Sequence, residues 1–558
     1  MDLQRTLLIG ALAIVGVLTL RQWNEDYHQV GLKNDVSVST VNATHSSSDM
    51  PIINKAPLIV SGGAKTSSKL ISVKTDTLDL KINPAGGDIV DLSLPKYPAW
   101  LPQKGETSPP FQLLVDKSDC SGNKTCVYTA QSALMKTDGP NANNQRTDYS
   151  YAKRDYELAQ GQNKLVVKLK KKSGNVEVTK RYTFKRGSYQ VRVDYQITND
   201  GNKVWTDQFY AQLKRDNSAD PSNENSNAPM HTYLGAAVHS QEKTFQKLPF
   251  DDFKKNKFNE KIAGGYAAIV QHYFLSAWVP DRNQTHNYYT NTSHEGNYNF
   301  VGFYDDPLVV KPGQTVTTGA TLYAGPKLQD RLKPLADGLE LTVDYGILWF
   351  LAQPLFILLN WIHSILGNWG WSIILLTVLV KAVFYPLNAK SFRSMAKMRK
   401  LSPKLQSLKE QHGDDRQKMS QAMMALYKQE KVNPMGGCLP IIVQMPVFIS
   451  LYWVLLESVE LRQAPWIGWI HDLSHMDPYF ILPLVMGVSM FIQQQLNPSP
   501  PDPIQAKVMK LMPVIFTFFF LWFPAGLVLY WVTNNTLSII QQYIITRQIE
   551  RNEGIKKA

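Results

Sequence analysis

Cysteine is scarce in this chain of 558 residues, which has only Cys120, Cys126 and Cys438. Three cysteines exclude a disulfide-dense scaffold, and they exclude any four-cysteine zinc or iron–sulfur site built from this chain alone. Cys120 and Cys126 flank the turn-like segment Ser-Gly-Asn-Lys-Thr. In an exported region these two cysteines are candidates for a small disulfide loop, and the sequence leaves open whether they bond.

The chain also lacks the common motifs of catalysis. No Gly-x-Ser-x-Gly, Walker or Gly-x-Gly-x-x-Gly motif occurs between a strand pattern and a helix pattern, which argues against nucleotide hydrolysis and covalent catalysis. His471 and His475 have the spacing of a zinc pair on a helix, but the usual Glu and a third ligand are missing. We therefore predict no catalytic residue, no metal site and no cofactor, so the chain is not expected to be an enzyme.

Acidic residues are rare where the chain is most apolar, and the charge is unevenly spread. The net charge is +13 and the mean hydropathy is −0.23, values that taken alone suggest a soluble protein with an anionic partner. Both averages combine a polar half with an apolar half. Residues 386–435 hold eleven Lys and Arg against four Asp and Glu, so this one segment carries +7 of the total.

The first 344 residues read as an exported region. Residues 1–22 have a basic start and an uncharged run without a small-x-small cleavage site, which predicts an uncleaved signal-anchor helix. A cleaved signal is the alternative. Residues 23–69 are rich in Ser, Thr, Asn and Gly and predict a flexible linker. Over residues 70–344 short alternating segments separated by turns predict a large antiparallel β-sandwich.

Long apolar runs follow residue 345, each near the ~20 residues that cross ~30 Å of hydrocarbon. Five of them predict spans, and they lie at 369–385, 438–456, 479–496, 508–523 and 526–545. A sixth run at 347–366 is equally uncharged. If it crossed the membrane, the basic segment would lie outside, against the preference of Lys and Arg for the cytoplasm. We therefore predict an interfacial amphipathic helix at 345–367.

The resulting topology is a polytopic α-helical membrane protein with six transmembrane (TM) helices and both termini in the cytoplasm. TM2 occupies 368–386, a basic helical hairpin 387–435, TM3 to TM6 residues 436–546, and a basic tail 547–558. The large β domain lies on the outside. A membrane protein of this shape has no expected contact with DNA.

Lys381 is the most informative residue inside a predicted span. It follows Thr377 by four residues, so both project from one helix face. A buried Lys in a membrane usually faces a bundle interior or a wet cavity, although snorkelling to the headgroups is the alternative. The last span carries the polar group Tyr530, Trp531 and Asn534, and no span holds a carboxylate. These residues favour a hydrated pocket over a proton relay.

The hairpin at 387–435 carries a second candidate site. Its residues Lys397, Arg399, Lys400, Met423 and Met424 predict a basic, Met-bearing surface on two amphipathic helices. Such a surface suits RNA, anionic lipid or an emerging apolar peptide. The alternative is a solvated hairpin whose charges only fix orientation.

Six short strings resemble the YidC/Oxa/Alb family of membrane-protein insertases. They are GNWG at 367–370, YPL at 385–387, SMAKM at 394–398, NPMGGC at 433–438, QMPVF at 444–448 and FPAGLVLY at 523–530. Residues 78–94 and 271–274 resemble the periplasmic domain of the Gram-negative branch of this family. The resemblance therefore covers essentially the whole chain.

The resemblance implies a membrane insertase and chaperone of the bacterial inner membrane. It implies a five-helix insertase core around a polar groove that is open to cytoplasm and lipid, with Lys381 and Thr377 lining it. A hydrophobic slide is implied at Met445, Pro446, Phe516 and Phe519. The implied partners are nascent membrane proteins, the Sec translocon with its accessory subunits, the ribosome and anionic lipids.

The sequence differs from the family at two positions, and two other classes of protein are alternatives to an insertase. By the resemblance, many family members have Arg at the position of Lys381 and familiar members have Tyr at the position of Trp531. Trp531 lacks the phenol hydroxyl, so the sequence predicts no direct hydroxyl contact from that position. A polytopic transporter or channel with an outer binding domain would favour paired charges or broken helices, which the sequence does not show. A tethered sugar-processing enzyme would need paired carboxylates near His231 or His272.

Overall fold

The computed structural model describes residues 70–102, 106–117, 126–137, 146–223, 232–293, 295–412, 416–430, 432, 439–497 and 503–557. The predicted signal anchor, the predicted linker and Cys120 lie outside these residues. Contacts divide the described chain into a β unit that ends at Val343 and a helical unit that begins at Asp344.

The β unit consists mainly of strands, as the alternating pattern predicts. In chain order, β1 to β21 are Ile71–Lys74, Asp79–Asn83, Asp88–Pro98, Pro110–Asp116, Val127–Leu134, Ser150–Tyr151, Asp155–Glu157, Lys164–Ser173, Val176–Lys185, Gln190–Asn199, Trp205–Asp207, Phe209–Asp216, Gly235–Val238, Gln246–Leu248, Asn259–Ala263, Ala267–Val270, Phe274–Pro280, Thr285–Thr292, Tyr298–Tyr304, Leu308–Val310 and Thr315–Pro326. A helical turn, Gln329–Leu332, follows the last strand.

Two large sheets form a sandwich. The ten-stranded sheet has the order β15-β18-β19-β12-β5-β4-β3-β2-β1-β7, and the nine-stranded sheet has the order β14-β13-β16-β17-β21-β10-β9-β8-β6. Strands β11 and β20 form a separate pair. The prediction of an antiparallel sandwich is wrong for one edge, where β7 lies parallel to β1. A parallel pair needs a long crossover rather than a hairpin, and the chain from β1 to β7 supplies it through five intervening strands.

The sandwich core follows from period-two alternation in strands such as β9 and β10. Val178, Tyr182, Val193 and Tyr195 are all less than 2% exposed, whereas the alternate residues Thr179 and Thr183 of β9 are half-buried. Across the core, the indole of Trp278 donates to the carbonyl of Gln212 at 3.1 Å and so ties one sheet to the other. Burial of alternate side chains thus fixes which face of each strand meets solvent.

A buried lysine holds the predicted turn after β2. Gly86 and Gly87 have positive φ angles of 79° and 67°, which glycine adopts without strain. Their carbonyls accept hydrogen bonds from Lys180 Nζ at 3.0 and 2.8 Å, and the carbonyl of Ser132 accepts a third at 2.9 Å. Lys180 is fully buried, so these carbonyls replace its hydration.

The described part of the helical unit contains nine α-helices. In chain order, α1 to α9 are Trp349–Leu366, Trp369–Val383, Tyr385–Lys400, Ser402–His412, Arg416–Gln429, Leu439–Glu457, Ile481–Leu496, Pro503–Phe519 and Ala525–Lys557. Asn368 caps α2, since its side chain accepts a hydrogen bond from the amide of Trp371. Helix α9 contacts α2, α3, α6 and α7 and is the central element of this unit.

Two prolines, Pro386 and Pro403, lie where the helices bend or break. The chain bends by 69° between α2 and α3, next to Pro386 at the start of α3. The sequence predicts two helices in the hairpin, but the first of these helices is divided after Lys400 into α3 and α4. Pro403 lacks an amide hydrogen and its ring clashes with the carbonyl four residues earlier, which ends α3 there. His471 and His475 lie in an irregular segment rather than on a helix.

By length and composition, one continuous helix in the described residues is long and apolar enough to cross a membrane, Gly346–Leu366. The bent pair Trp369–Val383 and Tyr385–Lys400 passes the same test when taken together, and two shorter apolar helices are Ile442–Glu457 and Ile481–Leu496. The surface position of α1 and the number of spans stay predictions, because they rest on the charges of the loops.

Candidate functional site: a lysine in a polar network of the helical unit

Lys381 lies on the buried face of α2. Its side chain is only 9% exposed, and Thr377, one turn earlier, is 1% exposed, so both point inward as their spacing predicts. The other buried positions of α2 belong to the same stripe and include Ile373 and Leu376. Packing of this stripe against α9 places the ammonium group among the polar side chains of the last helix.

The ammonium group of Lys381 contacts neutral oxygens. Its Nζ donates to the hydroxyl of Ser538 at 2.7 Å and to Oε1 of Gln444 at 3.4 Å. The Ser538 hydroxyl in turn donates to the carbonyl of Asn534 at 2.7 Å. The ammonium is therefore held by α9 on one side and by α6 on the other.

Gln444 joins the two helices that face Lys381. Its Nε2 donates to Oδ1 of Asn534, and it lies 3.4 Å from the hydroxyl of Tyr530. Tyr530 and Asn534 are 1% and 8% exposed. We call Lys381, Gln444, Tyr530, Asn534 and Ser538 the polar network. Each member has at least one hydrogen-bond partner within the polar network, as buried polar groups require.

The polar network holds an unneutralised positive charge. Among the described residues, no Asp or Glu forms an ion pair with Lys381. A recess beside the ammonium is lined by Val380, Phe384, Asn388 and Val443 together with Lys381 and Gln444. An ammonium with three donors and two oxygen acceptors retains hydrogen-bonding capacity for a further anionic or polar group.

Two residues predicted for the groove do not join the polar network. The hydroxyl of Thr377 donates to the carbonyl of Ile373 in its own helix at 2.6 Å. Trp531 packs edge-on against Phe448, with ring centroids 4.6 Å apart. Its indole N–H is buried and has no partner among the described residues. Trp531 therefore contributes an apolar surface beside the polar network, which agrees with the lack of a hydroxyl at that position.

The residues predicted for a hydrophobic slide lie on α6 and α8. Met445 and Phe519 are 41% and 52% exposed, whereas Pro446 and Phe516 are half-buried. Phe516 stacks on the buried Phe520, with centroids 6.1 Å apart. These side chains give the two helices an apolar surface, and their role as a path for an incoming segment stays a prediction.

The basic hairpin presents its predicted residues to solvent. Lys397, Arg399, Lys400 and Met424 are exposed, and Met423 is half-buried. An ion pair of 2.6 Å between Lys404 and Glu430 joins α4 to the end of α5. Burial raises the pKa of the Tyr427 phenol on α5 further above its ordinary value.

The base of α3 is anchored on the last helix. Ala389, Phe392 and Met395 are buried against Ile545 of α9, and Ile549 packs on the same cluster. Helix α9 continues to Lys557, beyond the point where the sequence predicts that its span ends. Ile549 lies beyond the predicted span and is partly buried by this cluster, so packing against α3 continues past the predicted end of the span.

The sequence reasoning missed Gln444 and Ser538 as members of the site. Gln444 is an amide inside an otherwise apolar run, and Ser538 follows Tyr530 and Asn534 at intervals of four residues. Both signals are visible in the sequence, because a polar residue that recurs on one face of an apolar helix predicts a buried partner. Which partner it meets depends on how the helices pack.

Cys126 is disulfide-bonded in the structure. Its predicted partner, Cys120, lies outside the described residues. The pairing of these two cysteines therefore stays a prediction.

A lysine sheltered by amides and hydroxyls among apolar helices, in a chain that also contains a large β unit, is typical of a membrane protein with a polar site. The family described as 60Kd inner membrane protein matches residues 361–553, and the family described as YidC periplasmic domain matches residues 70–358. The two matches together cover both units.

Relatives match over the whole length. The membrane protein insertase YidC of Ectopseudomonas mendocina (strain ymp) is 53% identical over 99% of both chains, and that of Pseudomonas aeruginosa (strain LESB58) is 54% identical over the same shares. A crystal structure described as an active YidC insertase with its first transmembrane domain resolved is 18% identical, covers 85% of this chain and 92% of its own, and has a TM-score of 0.37.

The chain therefore belongs to the YidC family of membrane protein insertases. It is an inner-membrane protein with a periplasmic β domain. Insertases are not enzymes, so the prediction that the chain is not an enzyme is confirmed. The sequence relatives carry this assignment.

Proposed function

We propose that this chain inserts membrane proteins by drawing the polar flank of a substrate toward Lys381. The observation that carries the proposal is the polar network. Among the described residues, the hydrogen-bond partners of the ammonium are neutral oxygens. A carboxylate in the substrate would supply the missing counter-charge. The predicted slide then receives the apolar segment of the same substrate.

Physical chemistry supports separate roles for the polar network and the apolar slide. Moving a polar segment through hydrocarbon is the expensive step of insertion, since each unsatisfied backbone group costs several kcal/mol. A hydrated groove shortens the dry path. Burial of the apolar segment in lipid supplies the driving force, and the membrane potential assists negative flanks. No nucleotide is required for this step.

A lysine suits this role differently from the arginine of many relatives. An ammonium is a compact, strongly hydrated point charge, whereas a guanidinium binds carboxylates through a rigid planar fork. Lys381 therefore attracts an acidic flank without holding it in one geometry. A substrate that must leave the groove benefits from such a weakly oriented contact.

The proposed topology has six spans, of which the last five form the insertase core, and both termini are in the cytoplasm. The support is the eleven Lys and Arg against four Asp and Glu at 386–435, because short loops with this bias stay in the cytoplasm. The exposed bases of the hairpin are proposed to meet the ribosome and anionic lipids. The Sec translocon is proposed as the partner that delivers larger substrates.

The test is a charge removal in the polar network. Proteoliposomes with the Lys381→Ala variant are given a freshly synthesised single-spanning substrate with an acidic flank, and protease protection of the flank measures insertion. We expect a loss of insertion and its recovery in Lys381→Arg. Lys507→Ala is the matched control, because Lys507 on α8 is exposed. Unimpaired insertion of every substrate by Lys381→Ala would refute the role of the charge.

A further inference from the structure

A row of lysines lines the outer face of the sandwich on β8. Lys164, Lys168, Lys170 and Lys172 alternate with the inward residues Val167 and Leu169, so all four point away from the core. We call these four residues the lysine row. Residues 164 and 172 are eight positions apart, which corresponds to roughly 26 Å along a strand.

The neighbouring strand β9 places a base opposite two members of the lysine row, Thr179 opposite Lys170 and Glu177 opposite Lys172. In the β8–β9 register, Lys164 lies directly opposite Lys185, and Lys168 lies directly opposite Arg181. Like charges at directly opposed positions destabilise an antiparallel pair. This cost applies most fully to Lys164 and Lys185, which have no ion pair among the described residues, whereas Arg181 is paired with Asp194. Sandwich packing does not explain the cost, because none of these side chains belongs to the core.

Neutralisation of this face within the protein is incomplete. Lys170 pairs with Glu177 at 3.0 Å, and Arg181 pairs with Asp194 of β10 at 3.1 Å. Lys164, Lys168, Lys172 and Lys185 are exposed and have no ion pair among the described residues.

The net charge of the β unit is concentrated on this face. The outward positions of β8 and β9 hold six bases against one acid, which is +5. Residues 70–343 hold 34 Lys and Arg against 29 Asp and Glu, which is also +5. The remainder of the β unit is therefore neutral, and the face is a distinct electrostatic feature rather than a share of a uniformly basic surface.

We propose that the outer face of β8 and β9 binds the anionic phospholipid headgroups of the membrane in which the helical unit is embedded. The chain passes from the β unit into α1 within a few residues of Val343, so a membrane surface is always present at high effective concentration. Each Lys near an anionic surface raises occupancy roughly fivefold.

The chemistry of the face favours a lipid surface over a folded acidic partner. All unpaired bases on it are Lys rather than Arg, and an ammonium is a hydrated point charge without the planar fork that recognises one carboxylate in one geometry. The phosphate groups of a fluid lipid layer have no fixed orientation, so point charges are sufficient to attract them. Nucleic acid does not compete, because this domain is periplasmic.

Photocrosslinking in the full chain tests the proposal directly. A benzoylphenylalanine replaces Val166, which lies on the outer face between Lys164 and Lys168, and the chain is placed in nanodiscs of phosphatidylcholine with or without phosphatidylglycerol. We expect lipid adducts with phosphatidylglycerol and at least about tenfold fewer without it or in 1 M salt. Thr317, on the outer face of β21 opposite Gln196, is the matched crosslinking position and should give few adducts in either lipid.

Charge-removing variants separate binding from folding. The change of Lys164, Lys168 and Lys172 to Gln should abolish the phosphatidylglycerol dependence, while the same change at the exposed Lys243, Lys255 and Lys257 should retain it. The first variant should unfold at the same or a higher temperature, because it relieves like-charge pairs. Adducts that are equal in both lipids, or adducts with a protein in place of lipid, would overturn the proposal. Neither readout depends on insertion activity.

Discussion

Replacing Gln444 by Glu puts a carboxylate where a neutral amide now faces Lys381. Gln444 Oε1 lies 3.4 Å from the ammonium nitrogen, and Glu has nearly the same length and shape. The change therefore keeps the size of the side chain and gives Lys381 an internal counter-charge, while the amide of Asn534 must turn to present its Nδ2 to the new carboxylate. If Lys381 acts by attracting acidic flanks, Gln444→Glu should slow their insertion although the lysine itself is untouched.

The size of the effect follows from the distance. Opposite unit charges ~4 Å apart attract by about 4 kcal/mol at an effective dielectric of 20 and by about 1 kcal/mol in bulk water. A groove that admits water lies nearer the lower figure. We therefore expect insertion of an acidic-flank substrate to fall by roughly fivefold to tenfold, since about 1.4 kcal/mol is a factor of ten.

The assay compares two flanks in the same proteoliposomes. Initial rates of protease protection are measured for a single-spanning substrate with an acidic flank and for its amide counterpart, in which each Asp or Glu is Asn or Gln. Gln444→Met is the matched control, because it removes the contacts to Asn534 without adding charge. Only Gln444→Glu should reduce the preference for the acidic flank.

A combined variant completes the test. Once Lys381 is replaced by Ala, the carboxylate of Gln444→Glu has nothing to neutralise, so the double variant should show no further loss of preference for acidic flanks. The reasoning fails if Gln444→Glu, at an unchanged melting temperature, inserts the acidic-flank substrate as fast as the unaltered protein.

Three further outcomes test the surroundings of the site and the fold. Ser538→Ala removes the 2.7 Å acceptor of Lys381 and should lower insertion about threefold in the same assay, whereas Ser538→Thr keeps the hydroxyl and should retain the rate. Trp531→Phe removes a buried N–H without a partner among the described residues, so insertion should stay within about twofold, and a larger loss would reveal a polar role for the indole. Gly302→Ala would put a Cβ 2.3 Å from the carbonyl oxygen of Ala211, and should lower the free energy of unfolding by about 3 kcal/mol in thermal denaturation.

The strands and most helices could be predicted because they are properties of short segments. Alternation from Val176 to Phe184 predicts the inward and outward faces of β9, and the structure confirms them. Positions four apart predict that Thr377 and Lys381 share one face of α2, which is also confirmed. In each case the periodicity of a single strand or helix is sufficient to predict the face on which a side chain lies.

Partners in other helices could not be predicted in this way. Lys381 and Ser538 are 157 residues apart, and Lys381 and Gln444 are 63 apart. The polarity of Gln444 inside an apolar run predicts that it faces a polar group, but not which one. The parallel contact of β7 with β1 has the same cause, since a two-residue or three-residue strand has too short a pattern to specify its neighbour.

The lysine row shows that strand register can change how a run of basic residues is interpreted. In the sequence, the bases at 164–172 are a charge run, and a charge run on a strand is ordinarily a solvated face that protects an edge from aggregation. The register adds a further fact, because Lys164 and Lys168 face bases on β9 and only Lys172 faces an acid, Glu177. A face selected only for solubility would gain stability from opposite charges at those two positions. The excess of bases on this face is therefore the observation that favours an anionic partner, and the lipid composition of the nanodiscs in the crosslinking experiment measures that dependence directly.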